Sequence, residues 1–402
     1  MCDDLLQPRY ADRFRCIGAD CEDTCCQGWG VYVDKATYKK YHSTPALRQL
    51  TAEHLERTSE SRDDFKYGRI RLVADNRCPF LDADGLCQIQ KKYGAVFLSK
   101  TCTRYPHACT RFGGRLQKGL LLSCPEAARL VLLSPQLLAS ESLETAKKEP
   151  VADDHSLPHQ LRCFALGLLQ DRSYPVWQRL FVLGIVCRRI MELGASKRAV
   201  EVPQLIGQYA SMVMQGQLRD HLDGIPAQPT EQLDLVVRLI RLRFQLEPPA
   251  AAFATTVADF LQGIGYSADT SLERAAALYA DAQVRYYQPF AQQYPAFLEN
   301  YLVNYVFCTR FPFVNPAVGA ETDLDPLAAF LLMAFHYRLL HSLLIGSAGR
   351  YREQFSSAQA TRVVSAFARR VEHNVGFLKE LSKLLDASDF QQTGNLALLL
   401  RN

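Results

Sequence analysis

The sequence predicts a mainly α protein in two parts: a small cysteine-rich α+β module at the N-terminus, packed on an all-α helical domain. Three observations carry that prediction. Ten of the 13 cysteines fall within residues 1–124, and the remaining 278 residues hold only Cys163, Cys187 and Cys308. Alternating apolar and polar runs, the mark of short strands, are strong only in the first 130 residues. Beyond residue 160 the apolar residues recur at intervals of three and four, the helical period. A length of 402 residues suits two to three domains. The divisions that follow are a cysteine-cluster module over 1–135, a linker over 136–160 and an all-helical domain over 161–402. With 48% hydrophobic and 22% charged residues the chain can bury a sizeable core, which argues against a disordered or fibrous protein.

In chain order, Trp29–Asp34 alternates as a short strand does, and Asp34 can then cap a helix through DKATYKKYH. Residues 43–66 are polar and show no pattern, and RIRLV at 69–73 alternates again. Asp84-Gly85 between two apolar pieces signals a hairpin. IQKKY runs to Gly94, a residue suited to the position just past a helix end. Gly113-Gly114 marks a second tight turn, and Pro125 suits the first position of a helix PEAARLVLL. The linker is polar, with two prolines and no apolar stripe.

Helices are then expected at 175–194, 203–218, 231–246, 271–290, 296–311, 326–346 and 361–385. Their start signals agree. Thr270 with Glu273 and Ser356 with Gln359 read as capping boxes, and Asp325-Pro326 as an N-cap followed by proline.

A net charge of +4 is too weak to imply nucleic acid, and residues 1–124 carry 20 Lys/Arg against 15 Asp/Glu with no continuous basic stripe. The N-terminal MCDDLLQPRYADRF has no apolar segment of the kind a secretory signal needs. The longest nearly continuous apolar run, PLAAFLLMAF at 326–335, falls short of the roughly 20 residues of a membrane span. The expectation is a cytoplasmic protein without membrane or nucleic-acid partners, whose thiols are kept reduced.

Dense cysteines in that setting read as metal ligands or reactive thiols. They lie in CIGADCEDTCC (16–26), CPFLDADGLC (78–87), TCTRYPHAC (101–109) and SCPE (123–126), with Cys2 apart. Histidine is scarce there, so all-sulfur ligation is expected, by tetrahedral zinc or an iron–sulfur cluster; spacing alone does not choose. Cys2 and Cys109 are read as non-ligands, and Cys163, Cys187 and Cys308 as core residues on apolar helices. There is no GxGxxG, Walker A, HExxH or GxSxG, and the CxxxCxxC of an ordinary radical-SAM cluster is missing because Gly28 stands where the third cysteine belongs.

FRCIGADCEDTCCQGW, CPFLDADGLCQIQ, LSKTCTRYPH and LSCPE, in this order, closely resemble the bacterial flagellin lysine-N-methylase family, within a broader group of zinc- or iron-chelating cysteine-cluster proteins. A downstream block, ENYLVNYVFCTRFPF at 299–313, resembles that family's helix ending in Phe-Pro-Phe. The resemblance places the family cysteines on Cys16, Cys21, Cys25, Cys26, Cys78, Cys87, Cys102 and Cys124. It implies S-adenosylmethionine as methyl donor and flagellin lysines as acceptors. It also favours an iron–sulfur cluster, of the 4Fe–4S type, over zinc. Candidate cofactor-binding residues are Asn300, Tyr301, Asn304 and Tyr105. Asn300 and Asn304 share one face of the 296–311 helix, with Tyr301 and Tyr305 on the next, and Tyr105 stands beside Cys102. Buried amides of this kind serve a ligand or bond carbonyls of the neighbouring part. The 296–311 helix is expected to face the cysteine module across a crevice that receives donor and lysine. No side chain is singled out as base. The rival functions are a zinc-knotted adaptor without catalysis and a redox or metal-delivery protein.

Overall fold

The computed structural model describes residues 9–27, 30–59, 63–112, 115–138, 156–248, 251–314, 324–387 and 393–401. Cys2, Trp29, the Gly113-Gly114 turn and most of the expected linker lie outside the described residues.

β1 (Val31–Val33) ends at Asp34, which caps the helix Lys35–Ser43 as expected: Asp34 Oδ1 accepts from the Thr37 N–H at 3.1 Å. Its second oxygen accepts from the Lys100 N–H at 2.9 Å, so one carboxylate ties strand, helix and the approach to Cys102 together. β1 pairs antiparallel with β3 (Gly68–Ile70), which also pairs with β2 (Leu55–Arg57), giving the order β1-β3-β2. The patternless 43–66 stretch thus contains β2 and a helix, Pro45–Thr51. Neither announces itself, because the helix buries only Leu47 and Thr51 and β2 is a largely exposed edge. The Asp84-Gly85 turn closes a single bridge, Leu81 to Cys87, because the chain enters the helix Gln88–Tyr93 at once.

β4 (His107–Phe112) and β5 (Arg115–Leu120) form a separate antiparallel ribbon with His107 opposite Leu120. The ribbon lies on the helix Phe297–Thr309. A Cβ on Gly119 would sit 2.5 Å from Cys308 Sγ, so only glycine allows this approach.

Two apolar cores result. The small one gathers Val31, Val33, Tyr41, Leu47, Ile70, Cys78, Phe80 and Ile89. The large one is built around the helix Pro326–Tyr351, which is buried along almost its whole length. That core also takes in Tyr10, Phe14, Leu120, Leu122, Cys124 and the apolar face of the helix Pro125–Leu132. The first 135 residues therefore contribute to both cores. By length and composition the stretch Pro326–Gln354 is apolar enough to cross a membrane, and 94% of its apolar window is buried inside the protein. Its polar members, among them His336, Arg338, His341 and Ser342, are buried with it.

Several helices differ from expectation. The 203–218 helix begins at Ala195 and carries Pro203 inside it. The 271–290 helix starts from Ser271, whose side chain accepts from the Arg274 N–H, and passes through a π-turn at Gln283–Tyr287. The helix Ala251–Gly263 was not foreseen. It meets the central helix backbone to backbone, where a Cβ on Gly263, Gly346 or Gly349 would overlap the opposite chain. Its apolar stripe, Phe253, Val257 and Phe260, is short and stands among alanines and threonines. The 361–385 helix is broken: Ser357–Phe367 winds into a π-turn at Ala368–Glu372, stops at His373-Asn374, and resumes at Val375–Ala387. Asn374 Oδ1 caps the new start by accepting from the Phe377 N–H at 2.7 Å.

Candidate functional site: a cavity between the helix 297–309 and the end of β5

The helix Phe297–Thr309 does face the N-terminal part, where Asn300 and Asn304 hold it, while Glu299 ties it to the helical domain. Glu299 accepts from Arg179 Nη1 at 2.9 Å and from Arg172 Nη2 at 2.9 Å. Asn300 Nδ2 donates to the carbonyls of Val131 at 3.0 Å and Ser134 at 2.6 Å, satisfying the C-terminal end of the helix Pro125–Leu132. Asn304 completes the edge of β5. Its Nδ2 donates to the Leu120 carbonyl at 2.8 Å, and its Oδ1 accepts from the Leu120 N–H at 3.0 Å and the Tyr10 hydroxyl at 2.7 Å.

Beside these contacts lies a cavity of about 260 Å³, lined by Leu120–Leu122, Tyr301, Asn304, Tyr305, Cys308, Thr309, His336, Glu372, His373, Val375 and Leu378. His373 and Val375 are exposed, so the cavity opens to solvent on that side. Tyr301 and Tyr305 stand with ring centroids 6.3 Å apart, and His336 continues the aromatic wall 5.4 Å from Tyr305. The Tyr301 hydroxyl donates to Glu372 Oε1 at 2.5 Å. Burial pushes the Glu372 carboxyl up to about 7, against the lowering effect of that hydroxyl. Burial also pushes His336 down to about 3, so its ring is neutral at pH 7. His336 Nδ1 pairs with the Tyr305 hydroxyl at 3.0 Å, while its Nε2 has no partner.

Of the four expected cofactor-binding residues, the structure brings Tyr301 and Asn304 to this cavity. Asn300 is turned away from it, its amide spent on helix-end carbonyls. Tyr105 is set back from the lining: its hydroxyl meets Ser123 Oγ at 3.0 Å, within electrostatic reach of Cys124 and Cys25. Sequence reasoning missed Glu372, His336 and His373. The signal for the first and last was Asn374, an N-cap residue inside an apparently continuous helix.

Several thiols gather around Cys26. Cys26 is hydrogen-bonded to Cys25, Cys78 and Cys87, with the Cys25 and Cys26 sulfurs 4.0 Å apart. Those bonds draw Cys25 down to about 7 and Cys87 down to about 6, and they hold Cys26 protonated. Cys102 is pushed up to about 12 and Cys124 up to about 11, both by burial. Cys21, in electrostatic contact with Cys16, is raised by burial. Among the described residues no group of three or more His, Cys, Asp or Glu side chains closes into a metal-binding arrangement. Sulfur donors converge from three separate segments; a formed centre is not present. Cys163, expected as a core thiol, is half-buried and disulfide-bonded, which corrects the expectation of free thiols at that position; Cys187 is fully buried, and Cys308 lines the cavity. Ser123 links the two sides, because its hydroxyl meets both Tyr105 and His373 Nε2, the latter at 3.1 Å.

The model of the FliB lysine N-methylase C-terminal domain matches residues 162–399, which include the 297–309 helix, His336 and Glu372. The chain belongs to the FliB lysine N-methylase family. Lysine-N-methylases of Salmonella typhimurium strain LT2 and Salmonella choleraesuis strain SC-B67 are each 24% identical to it over 392 residues, 95% of both chains. A flagellar biosynthetic protein FliU of Salmonella muenchen is 34% identical over 138 residues, 34% of this chain and 80% of that one. No solved structure matches. In this FliB-family chain the domain match carries most of the cavity wall; the end of β5 and the converging thiols precede it.

Proposed function

We propose that the protein methylates lysine side chains of flagellin, taking the methyl group from S-adenosylmethionine. The cavity carries this reading: aromatic faces, a single carboxylate and two imidazoles line a pocket opening at the meeting of the helical domain and the cysteine segments. A lysine ammonium has an ordinary pKa of about 10.4, so methyl transfer at neutral pH needs a site that removes its proton. Aromatic faces and a carboxylate also suit a sulfonium donor. The names of the matched relatives agree with lysine as acceptor and with a flagellar context.

The same proposal includes an iron–sulfur cluster, with Cys25, Cys26, Cys78 and Cys87 as its nearest set of ligands and Cys16, Cys21, Cys102 and Cys124 as the remaining candidates. The donor set fits in its chemistry, because Cys26 is bonded to Cys25, Cys78 and Cys87, and the Cys25 and Cys87 thiols are drawn down toward neutral pH. When bound, the cluster would supply a Lewis-acidic iron for the donor's amino and carboxylate groups. Protein purified anaerobically should contain iron and sulfide, and Cys26→Ser should lose them while Cys187→Ser keeps them. Zinc alone from an iron-replete preparation would replace the cluster by a zinc knot. Incubation with the donor and purified flagellin should add methyl groups to lysines, read by peptide mass spectrometry. Iron-loaded protein that leaves flagellin unmodified overturns the methylase reading.

A further inference from the structure

Resting on the methylase reading, we infer that this cavity is the acceptor-lysine pocket and that Glu372 is the group that receives the lysine ammonium and takes its proton. The size is right. About 260 Å³ lies below the roughly 300–1,000 Å³ of pockets that engulf whole drug-sized ligands, and suits one long side chain. The lining is divided as a lysine is divided. Leu120–Leu122, Val375 and Leu378 offer apolar surface for the methylenes. Tyr301, Tyr305 and His336 offer ring faces to a cation. Among the described residues the lining includes no lysine or arginine, so Glu372 is a carboxylate lacking a positive partner on a wall that needs one.

The groups facing Glu372 are few. From the 297–309 helix they are Tyr301, Tyr305 and Cys308; from the central helix, His336; on its own segment, His373, which in turn feels Arg369. The end of β5 and the 375–387 helix contribute apolar residues. Burial keeps His336 neutral at pH 7, while it pushes the Glu372 carboxyl up to about 7.

The step balances. The ionised carboxylate takes one proton from the ε-ammonium, leaving a neutral amine and a carboxylic acid. The amine lone pair forms a bond to the methyl carbon of the sulfonium donor. The carbon–sulfur bond breaks with its electron pair kept on sulfur, giving a neutral thioether and a methylammonium. A sulfonium carries no proton, so a donor seated against Glu372 would leave its basicity unused. Tyr301 is a positioning residue: its hydroxyl donates to one carboxylate oxygen of Glu372 and so holds that side chain in the lining.

The test uses the full chain and Nα-acetyl-lysine N-methylamide as probe, followed by ligand-observed NMR with and without the donor. Wild type should bind the probe about tenfold more tightly at pH 8 than at pH 6, because Glu372 ionises through about 7. Glu372→Gln keeps an oxygen for Tyr301 and should lose roughly tenfold to a hundredfold in affinity at pH 8, with the pH dependence gone and donor affinity unchanged. Tyr301→Phe should keep binding but move the pH midpoint upward, since the hydroxyl holds the carboxyl down. A purely structural tyrosine would not move it. The inference is overturned if wild type fails to bind the probe at pH 8, if Glu372→Gln binds it equally well, or if that variant loses the donor instead. Intact probe binding in a protein that never methylates flagellin would break the methylase reading and leave the ammonium pocket standing.

Discussion

The two apolar cores are organised on different principles. The large core wraps a buried helix in other helices, and some of its polar members are bonded in place: Arg338 Nε donates to the Leu399 carbonyl at 2.8 Å, and Tyr279 meets Ser342 at 3.1 Å. The small core has eight buried side chains, one of them Cys78, and leans on Cys26, Cys87 and Cys102 at its edge. One is complete as it stands, whereas in the other sulfur occupies positions that aliphatic carbon would fill in an ordinary core. The comparison teaches where added bonds would matter. A small core gains much from a bound metal, because a domain of that size buries too little apolar surface to be stable alone.

The largest expected effect breaks the comparison at its weak side. Phe80→Ala should cost about 3–5 kcal/mol, concentrated in the small core. Cys78 and Cys87 should then react faster with a thiol reagent, while hydrogen exchange in the central helix stays slow. Loss of protection in both places would mean that the two cores unfold as one.

A middle-sized effect sharpens the seam between them. Asn304→Ala strips partners from the Tyr10 hydroxyl and from both backbone groups of Leu120, and should cost about 2–3 kcal/mol in a thermal or urea melt. Asn300→Ala should cost less, since the carbonyls it frees end a helix near the surface. Only the change at Asn304 should alter the cavity, so probe binding should fall there and hold at Asn300.

The smallest effect belongs to the large core's buried histidine. His336 is pushed from an ordinary 6.5 down to about 3, so between those values the unfolded chain binds a proton that the folded chain refuses. Stability is full above 6.5 and declines as pH falls toward 3, by about 1 kcal/mol between pH 6.5 and 5.5. His336→Phe should flatten that limb in urea titrations. An unchanged acid slope would show that water reaches the ring.

What could be read from the sequence was local. Asp34, Ser356 with Gln359, and Asp325-Pro326 cap the helices they precede, because a cap is a bond between neighbours. The Asn300–Asn304 face was visible as polar residues on an apolar helix, and it meets the N-terminal part. What could not be read was pairing at a distance. Tyr301 and Glu372 are 71 residues apart, and nothing in either segment names the other. Glu372 was further hidden by a π-turn, whose one-residue insertion leaves the helical period nearly intact. His336 and His341 stand five residues apart, too far round the helix to share a face and mark a site in the sequence. The apolar stripe does not tell which of two buried histidines has Tyr305 as neighbour and which stacks on Tyr337.

Backbone contact at Gly263, Gly346 and Gly349 fixes the rotational phase of the central helix. A side chain between two helices can tilt and let them slip; two backbones pressed together leave no such freedom. His336 lies ten residues before Gly346, about 15 Å along the axis. A methyl group added at Gly346 would run into Phe260 and its backbone, so the helix would have to roll. That roll would swing His336 away from Tyr305 and reshape the aromatic wall. The orientation of a cavity residue is thus set from the far end of the rod that carries it, by the place where that rod has no side chains at all.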